Sequence, residues 1–545
     1  MRFRGGLVAA TVGLFLAVAG GASAASPNVV VILTDDQRWD TLSTMPTVQA
    51  ELVRKGVTFT NAFVVNPLCC PSRASLLTGL YSRSTGVYTN GGFINFKDTS
   101  TLATWLRRAG YRTGFFGKYL NSYRGTSVPP GWNSWAAFTP ANVANFFDYA
   151  LNVDGTIVEY GSEPDEYSTD VLAAKVEQFI RVRPNAPFFL MYAPYAPHLP
   201  ATPAPRHANA FPGLQPWRPA SYNEPDISDK PSWLRAYPAL VAPAQLDAFR
   251  RRQLQSLRSV DEAVARVLST LEDSGVLEDT LIALTSDNGL FWGEHRLNGK
   301  QAPYEESIRV PLVIRYDRAV SAPRTEPRLA LNIDLAPTIA SYAGTPRATD
   351  GRSLRALIEG RRPSPWRRYF LVEGRQTGPN RSIPSYCAIR GSRHVYVAYG
   401  TREEELYDLA VDPGQLVNLV RRPEARQRLA TVRRRLLSLC APPPPDLPLS
   451  WICTHGGTAR NDRLVGTSRL DSLCGRGGND ELWGRDGPDR LFGDSGRDSL
   501  SGGPGRDSLY ARDNARDVLI CGPGRDVVRA DRRDEVAPDC ELVRR

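Results

Sequence analysis

The chain has 545 residues, 67 Lys plus Arg against 57 Asp plus Glu, and 42% hydrophobic residues. That length and apolar content provide for roughly two to four domains with a sizeable core, which excludes a wholly disordered chain and a collagen-like fibre. The net charge of +10 is carried almost entirely by scattered Arg, only six residues being Lys, so it argues for a solvated surface and an anionic substrate and against a nucleic-acid partner.

At the start, Arg2 and Arg4 precede an apolar run from Leu7 to Ala19 and the small-residue pattern Ala22-Ser23-Ala24. This predicts a secretory signal peptide over residues 1–24, because the run is too short to span a bilayer. No later stretch reaches about 18 apolar residues, so a secreted protein without a membrane span is expected. Eight cysteines, Cys69, Cys70, Cys387, Cys440, Cys453, Cys474, Cys521 and Cys540, would then meet an oxidising compartment. Adjacent Cys69 and Cys70 are poor partners for each other, and the other six allow fifteen pairings.

Residues 25–365 read as an α/β body. Asn28 to Leu33 is a β-branched run of the buried parallel type, and similar runs are Arg112 to Phe116, Pro187 to Tyr192, Thr280 to Thr285 and Val310 to Ile314. Between them, apolar residues from Leu246 to Leu271 recur at helical spacing. Alternating strands and helices predict a large, mainly parallel central sheet. Over 366–440, short runs at hairpin spacing (Tyr369–Val372, Tyr386–Ile389, His394–Ala398) and an Arg- and Leu-rich helix predict a small antiparallel subdomain. A Cys387–Cys440 bridge is expected within it.

A Pro-rich linker over 441–450 leads to a repeat. Asp462, Asp471, Asp480, Asp489, Asp498 and Asp507 are spaced by nine, and after one extra residue Asp517 and Asp526 resume the period. Two residues after each Asp stands a Leu, or Val528 in the last unit. A nine-residue unit of turn plus short strand stacks its Leu in the core of a parallel β-roll, with Gly in the turns and Asp oxygens offered to Ca²⁺. Asp480, Asp489, Asp498 and Asp507 are the candidate ligands. The first two units lack the Gly before Asp and are expected to bind no metal. The region 451–545 holds 17 acidic residues and 16 Arg, so the positive charge belongs to the rest of the chain.

Chemistry concentrates where the predicted strands end. The first ends in Asp35-Asp36, and the run from Thr280 ends in Asp287-Asn288. Carboxyl ends of parallel strands share one edge, where α/β ligand sites form. Three carboxylates and an amide oxygen make a hard set suited to Ca²⁺ or Mg²⁺. Lys118, His198 and Lys300 follow strands or loops at the same edge. In the segment Cys69-Cys70-Pro71-Ser72-Arg73, Pro71 predicts the first position of a short helix closed by Gly79, with Cys69 just before it.

Cys69-x-Pro71-Ser72-Arg73 followed by Leu77-Thr78-Gly79 resembles the type I, formylglycine-dependent sulfatase signature, and Lys118, Pro197-His198, Asp287-Asn288-Gly289 and Lys300 follow that family's order. The Cys-Cys form with Gly117-Lys118-Tyr119-Leu120-Asn121 looks most like the N-acetylglucosamine-6-sulfatase branch, and the nonapeptides resemble the hemolysin-type (RTX) calcium-binding repeat. The resemblance implies an alkaline phosphatase-like sulfatase fold and a maturation enzyme that converts Cys69 to Cα-formylglycine. It implies a cation held by Asp35, Asp36, Asp287, Asn288 and the modified residue 69. It assigns Arg73 and Lys118 to the nucleophile, His198 and Lys300 to sulfate and the leaving group, and a sulfated small molecule or glycan as substrate. Many members have a His two residues after the Lys matching Lys118; here Leu120 stands there, so either another group, with His295 a candidate, or water takes that role. A phosphonate or phosphate monoester hydrolase on the same fold, and an inactive Ca²⁺-dependent binding protein, are the alternative readings.

Overall fold

The computed structural model describes residues 26–140, 145–182, 186–240, 242–375, 383–440, 447 and 452–545. The signal-peptide expectation lies outside the described residues, as does the linker expectation apart from Leu447.

Ten strands form the central sheet, in the spatial order Arg324–Glu326, Val57–Phe59, Leu312–Arg315, Thr280–Ser286, Asn28–Thr34, Phe188–Ala193, Arg112–Gly117, Ser134–Phe138, Tyr149–Val153 and Thr156–Tyr160. Five adjacent strands, from Thr280–Ser286 to Ser134–Phe138, run parallel. Burial on both faces explains why they read as continuous apolar runs; Val29 to Ile32 are fully buried. The strand Leu312–Arg315 departs from the expected parallel set and pairs antiparallel with both neighbours. A fully buried strand has the same apolar texture in either direction, so composition does not report its polarity. The helix Pro243–Asp273 covers one face, burying Leu254, Leu257, Val260, Val264, Val267 and Leu271.

A four-stranded antiparallel sheet follows, Tyr369–Gly374, Tyr386–Gly391, His394–Tyr399 and Glu404–Asp408 in sequential order. Helix Arg426–Leu439 packs its Leu429, Val432, Leu436 and Leu437 against Ile389, Tyr396 and Leu406. The Cys387–Cys440 disulfide joins that sheet to the end of the helix. The remaining bridges are Cys453–Cys474 and Cys521–Cys540.

Residues 455–544 wind into two parallel sheets whose strands alternate, so a full coil takes two nonapeptides. Leu473, Leu482, Leu491, Leu500, Leu509, Leu519 and Val528 are fully buried and form the core between the sheets. The roll is seated on the small subdomain. Ile452 packs into the core under helix Arg426–Leu439, and Arg434 of that helix reaches Asp471 at 3.0 Å.

Candidate active site and calcium roll

Register aligns Thr34 with Ser286, and Gly117 with Ala193. The residues that follow these strands therefore emerge on one edge: Asp35 and Asp36, Asp287 and Asn288, Lys118, and, after a short loop, His198. Gly117 is required for this. Its φ is +129°, and a Cβ there would lie 2.0 Å from the Ala193 carbonyl oxygen, so only Gly brings the chain close enough for the Lys118 N–H to donate to that oxygen at 2.8 Å.

The helix begins two residues earlier than its Pro suggests. Cys69 is its first residue, with Leu68 as the cap. Pro71 stands third, a position tolerated because the first four N–H groups of a helix have no intrahelical acceptor. The first intrahelical bond runs from Ser72 N–H to Leu68 O at 3.0 Å. Asn332 Nδ2 donates to Ser72 Oγ at 3.0 Å, and Asn332 Oδ1 accepts from Val65 N–H, pinning the helix start to the body. Gly79, at φ +71°, ends the helix in a left-handed cap.

These constraints set Cys69 among the charges. Its Sγ lies 3.6 Å from Asp35 Oδ1 and 2.8 Å from Lys300 Nζ. Lys118 pairs with Asp35, and Lys300 with Asp36. Arg73 donates from Nε to Asp287 Oδ2 at 2.7 Å and from Nη1 to the Lys118 carbonyl at 2.6 Å. His198 Nε2 is 3.7 Å from Asp36 Oδ2, while Nδ1 is 2.6 Å from the Leu199 carbonyl. A carbonyl only accepts, so Nδ1 carries a hydrogen and Nε2 is the nitrogen presented to the edge. Nine of the ten residues named from sequence for this site meet here; His295 does not.

Burial alone would raise the Asp35 carboxyl, but Lys118, His198 and Arg73 outweigh it and hold it at about 2. Asp36 is likewise held low against burial, by Lys300 and His198. Burial pushes the Cys69 thiol up to about 12, so an unmodified Cys69 is protonated at neutral pH and a poor nucleophile.

The donor set fits a hard divalent cation. Asn288 Oδ1 is buried without a hydrogen-bond partner, although Asn288 Nδ2 donates to Asp36 Oδ1 at 2.6 Å. Ligand atoms of Asp35, Asp36, Cys69 and His198 lie within 4.8 Å of one another. Clustered buried carboxylates beside an orphaned amide oxygen are the surroundings that Ca²⁺ or Mg²⁺ stabilises.

His295 does not face this edge. It is fully buried, with Nδ1 2.8 Å from Glu224 and its ring stacked on Tyr304 at 4.2 Å. It packs the loop that carries Asp287 and Lys300. Leu120 is a buried core residue, so His198 is the imidazole at the edge among the described residues.

In the roll, each repeat Asp has two distinct oxygens. From Asp480 onward, one oxygen accepts the backbone N–H of the Asp one coil earlier, as in Asp480 N–H to Asp498 Oδ1 at 2.8 Å. The other, Oδ2, is buried and unpartnered at Asp480, Asp489, Asp498 and Asp507. A Cβ added at Gly475, Gly484, Gly493 or Gly502 would lie 2.2–2.6 Å from these oxygens. Burial raises the carboxyls, Asp489 to about 8 and Asp498 to about 7. The set fits Ca²⁺. Asp517 and Asp526 share the orphaned oxygen, although only Gly-flanked units were named from sequence. In the first two units Thr458 and Thr467 each donate N–H and Oγ–H to the Oδ2 of Asp462 and Asp471, which fills the place of a cation.

The sulfatase family model matches residues 27–345, the N-sulphoglucosamine sulphohydrolase C-terminal model residues 293–441, and the RTX calcium-binding nonapeptide repeat model residues 456–491 and 483–515. The chain is 31% identical over 476 residues to human (Homo sapiens) N-acetylglucosamine-6-sulfatase, covering 76% of this chain and 85% of that protein. It is 34% identical over 369 residues to the extracellular sulfatase SULF-1 homolog of Drosophila melanogaster, covering 64% of this chain. The chain spans 52% of a putative extracellular sulfatase Sulf-1 homolog of Caenorhabditis elegans and 33% of the Drosophila melanogaster homolog. A solved structure of a protein in complex with its substrate D-glucosamine-2-N,6-O-disulfate matches with TM-score 0.68 at 26% identity, covering 77% of this chain and 99% of that chain. The architecture is the alkaline phosphatase-like sulfatase fold followed by a parallel roll of RTX repeats.

Proposed function

The chain belongs to the sulfatase family, and from that premise we propose that it is a secreted hydrolase of O-sulfate esters on a sulfated sugar or glycan. The observation that carries this reading is the seat of Cys69, at a helix start, within reach of Asp35 and Lys300. Matured by a formylglycine-generating enzyme, residue 69 would supply a hydrated aldehyde as nucleophile and a second hydroxyl to release the sulfate. A divalent cation would be held by Asp35, Asp36, Asp287, Asn288 and the modified residue, and would supply Lewis acidity.

The chain's own residues do the rest. Arg73, buried and tied to Asp287 and the Lys118 carbonyl, keeps that carboxylate facing the edge. Lys118 and Lys300, both near the residue 69 side chain, place fixed positive charge where sulfate oxygens gather charge. His198 presents Nε2 at the cleft side, where it can hand a proton to the departing alcohol oxygen. The Ca²⁺ roll stabilises the C-terminal part of the secreted protein.

Peptide mass spectrometry of the natively produced protein tests the reading together with assays on matched sulfate and phosphonate esters. The expected result is a formyl group at residue 69 and preference for the sulfate. An unconverted Cys69 or a clear phosphonate preference would overturn it.

A further inference from the structure

A cavity of about 830 Å³ opens beside the site, and Asp36, His198 and Lys300 are among its lining residues. It lies in the roughly 300–1,000 Å³ range of pockets that enclose a drug-sized ligand, more than a sulfate head alone requires. Part of the lining is apolar, with Tyr237, Leu240, Leu246 and Phe249. Two guanidinium groups also line it. Arg252, on helix Pro243–Asp273, donates from Nε to the Pro200 carbonyl at 3.4 Å. Arg296 is fixed by Nε and Nη2 on the carbonyls of Glu224 and Pro225, both at 2.9 Å.

Neither Arg forms an ion pair with a carboxylate among the described residues, and both stay partly open to solvent. Among the described residues Asp36 is the one acidic residue lining the cavity, and it is already met by Lys300 and Asn288. The lining therefore carries positive charge from Arg252 and Arg296 that no lining carboxylate balances. Backbone carbonyls hold each guanidinium through part of its donor fork and leave other N–H groups available. Pre-positioned Arg of this kind suits a planar or tetrahedral oxyanion.

We propose that Arg252 and Arg296 form a second anion subsite that selects saccharide sulfates bearing another sulfate or a carboxylate beyond the scissile ester. This rests on the sulfatase reading of the same site. The apolar lining takes the sugar's C–H face, His198 and Lys300 take the scissile sulfate, and the two Arg take the second charge.

The test uses the full-length, formylglycine-converted protein with three saccharides of one backbone: monosulfated, disulfated, and sulfated with a carboxylate. Wild type, Arg252→Gln, Arg296→Gln and the charge-keeping Arg252→Lys are compared, with thermal unfolding to confirm that each folds. In the variants that lose charge, KM for the doubly charged substrates should rise about tenfold, with kcat and the monosulfated reaction little changed. Arg252→Lys should keep most of the preference. The arm more affected tells sulfate from carboxylate. Equal loss on all three substrates, or none on any, overturns the subsite. Binding of the same saccharides to Cys69→Ala, with and without Arg252→Gln and Arg296→Gln, separates the two readings. Arg-dependent binding without turnover in the wild type sinks the sulfatase reading and keeps the subsite, whereas turnover blind to the second charge does the reverse.

Discussion

Lys300 Nζ lies 2.8 Å from Cys69 Sγ and also pairs with Asp36, so one ammonium joins the modifiable side chain to a carboxylate of the cation set. Its partners hold the ammonium firmly charged, well above the usual lysine range, even though burial works against the charge. A cation in that place stabilises oxygens that gain charge during transfer.

Lys300→Ala should therefore lower kcat/KM on sulfate esters by roughly 10²–10³. Conversion of Cys69, read by mass spectrometry in the same sample, should be unchanged. A variant with full activity would remove Lys300 from the reaction.

His198→Gln keeps a hydrogen-bonding side chain but cannot transfer a proton. The loss should be large, roughly 10²–10⁴, on a sugar sulfate with a poor alkoxide leaving group. On an aryl sulfate, whose phenolate departs without help, it should be much smaller. Equal losses would assign His198 to binding alone.

Thr458 and Thr467 satisfy the first two repeat carboxylates, whereas those from Asp480 onward keep a bare oxygen. Calcium should thus be needed beyond the first coil. Hydrogen exchange on the full chain with chelator should show lost protection over 480–530 and retained protection near 458–474. Calcium at a hundred times its dissociation constant should restore about 2.7 kcal/mol per independent site. Uniform behaviour along the roll would contradict this assignment.

Glu373 is fully buried in the small sheet, one of its oxygens lacks a partner, and burial raises its carboxyl to about 7 against the weaker pull of Arg83. A folded-state value above the unfolded one means the native state binds the extra proton. Stability is then full below about 4.5 and falls as pH rises through 7. Glu373→Gln removes that loss, so its advantage in unfolding free energy should grow from near zero at pH 4.5 to about 3 kcal/mol at pH 8. A pH-independent difference would show that the carboxyl does not titrate in this window.

Much of this was legible before folding. The nine-residue phase of Asp and Leu dictated the roll, because a repeat that buries one residue per unit has few ways to stack. Asp35-Asp36 and Asp287-Asn288 were legible as chemistry because both follow buried strands whose carboxyl ends share one edge, and Cys69 to Arg73 because it opens a helix with a long motif that resembles the sulfatase signature. The antiparallel strand Leu312–Arg315 was not legible, since burial on both faces hides direction. The exact start of the Cys69 helix was hidden for a related reason, because Pro is tolerated anywhere in a first turn. Arg252 and Arg296 were invisible among 61 Arg, and nothing local distinguishes an Arg whose partner is missing.

The sequence by itself determined the residue types at the site, the strand ends that carry them and the period of the roll. All three follow from short-range patterns of polarity and backbone preference. Only the tertiary structure decided which of them meet. Asp36 and Asp287 are 251 positions apart yet joined by a hydrogen bond, and Lys118 reaches Asp35 across 83. It also turned His295 inward onto Tyr304 and left His198 at the edge. Sheet register and the packing of long-range elements set those distances, and a linear pattern carries charge and shape but not which distant charge will stand opposite.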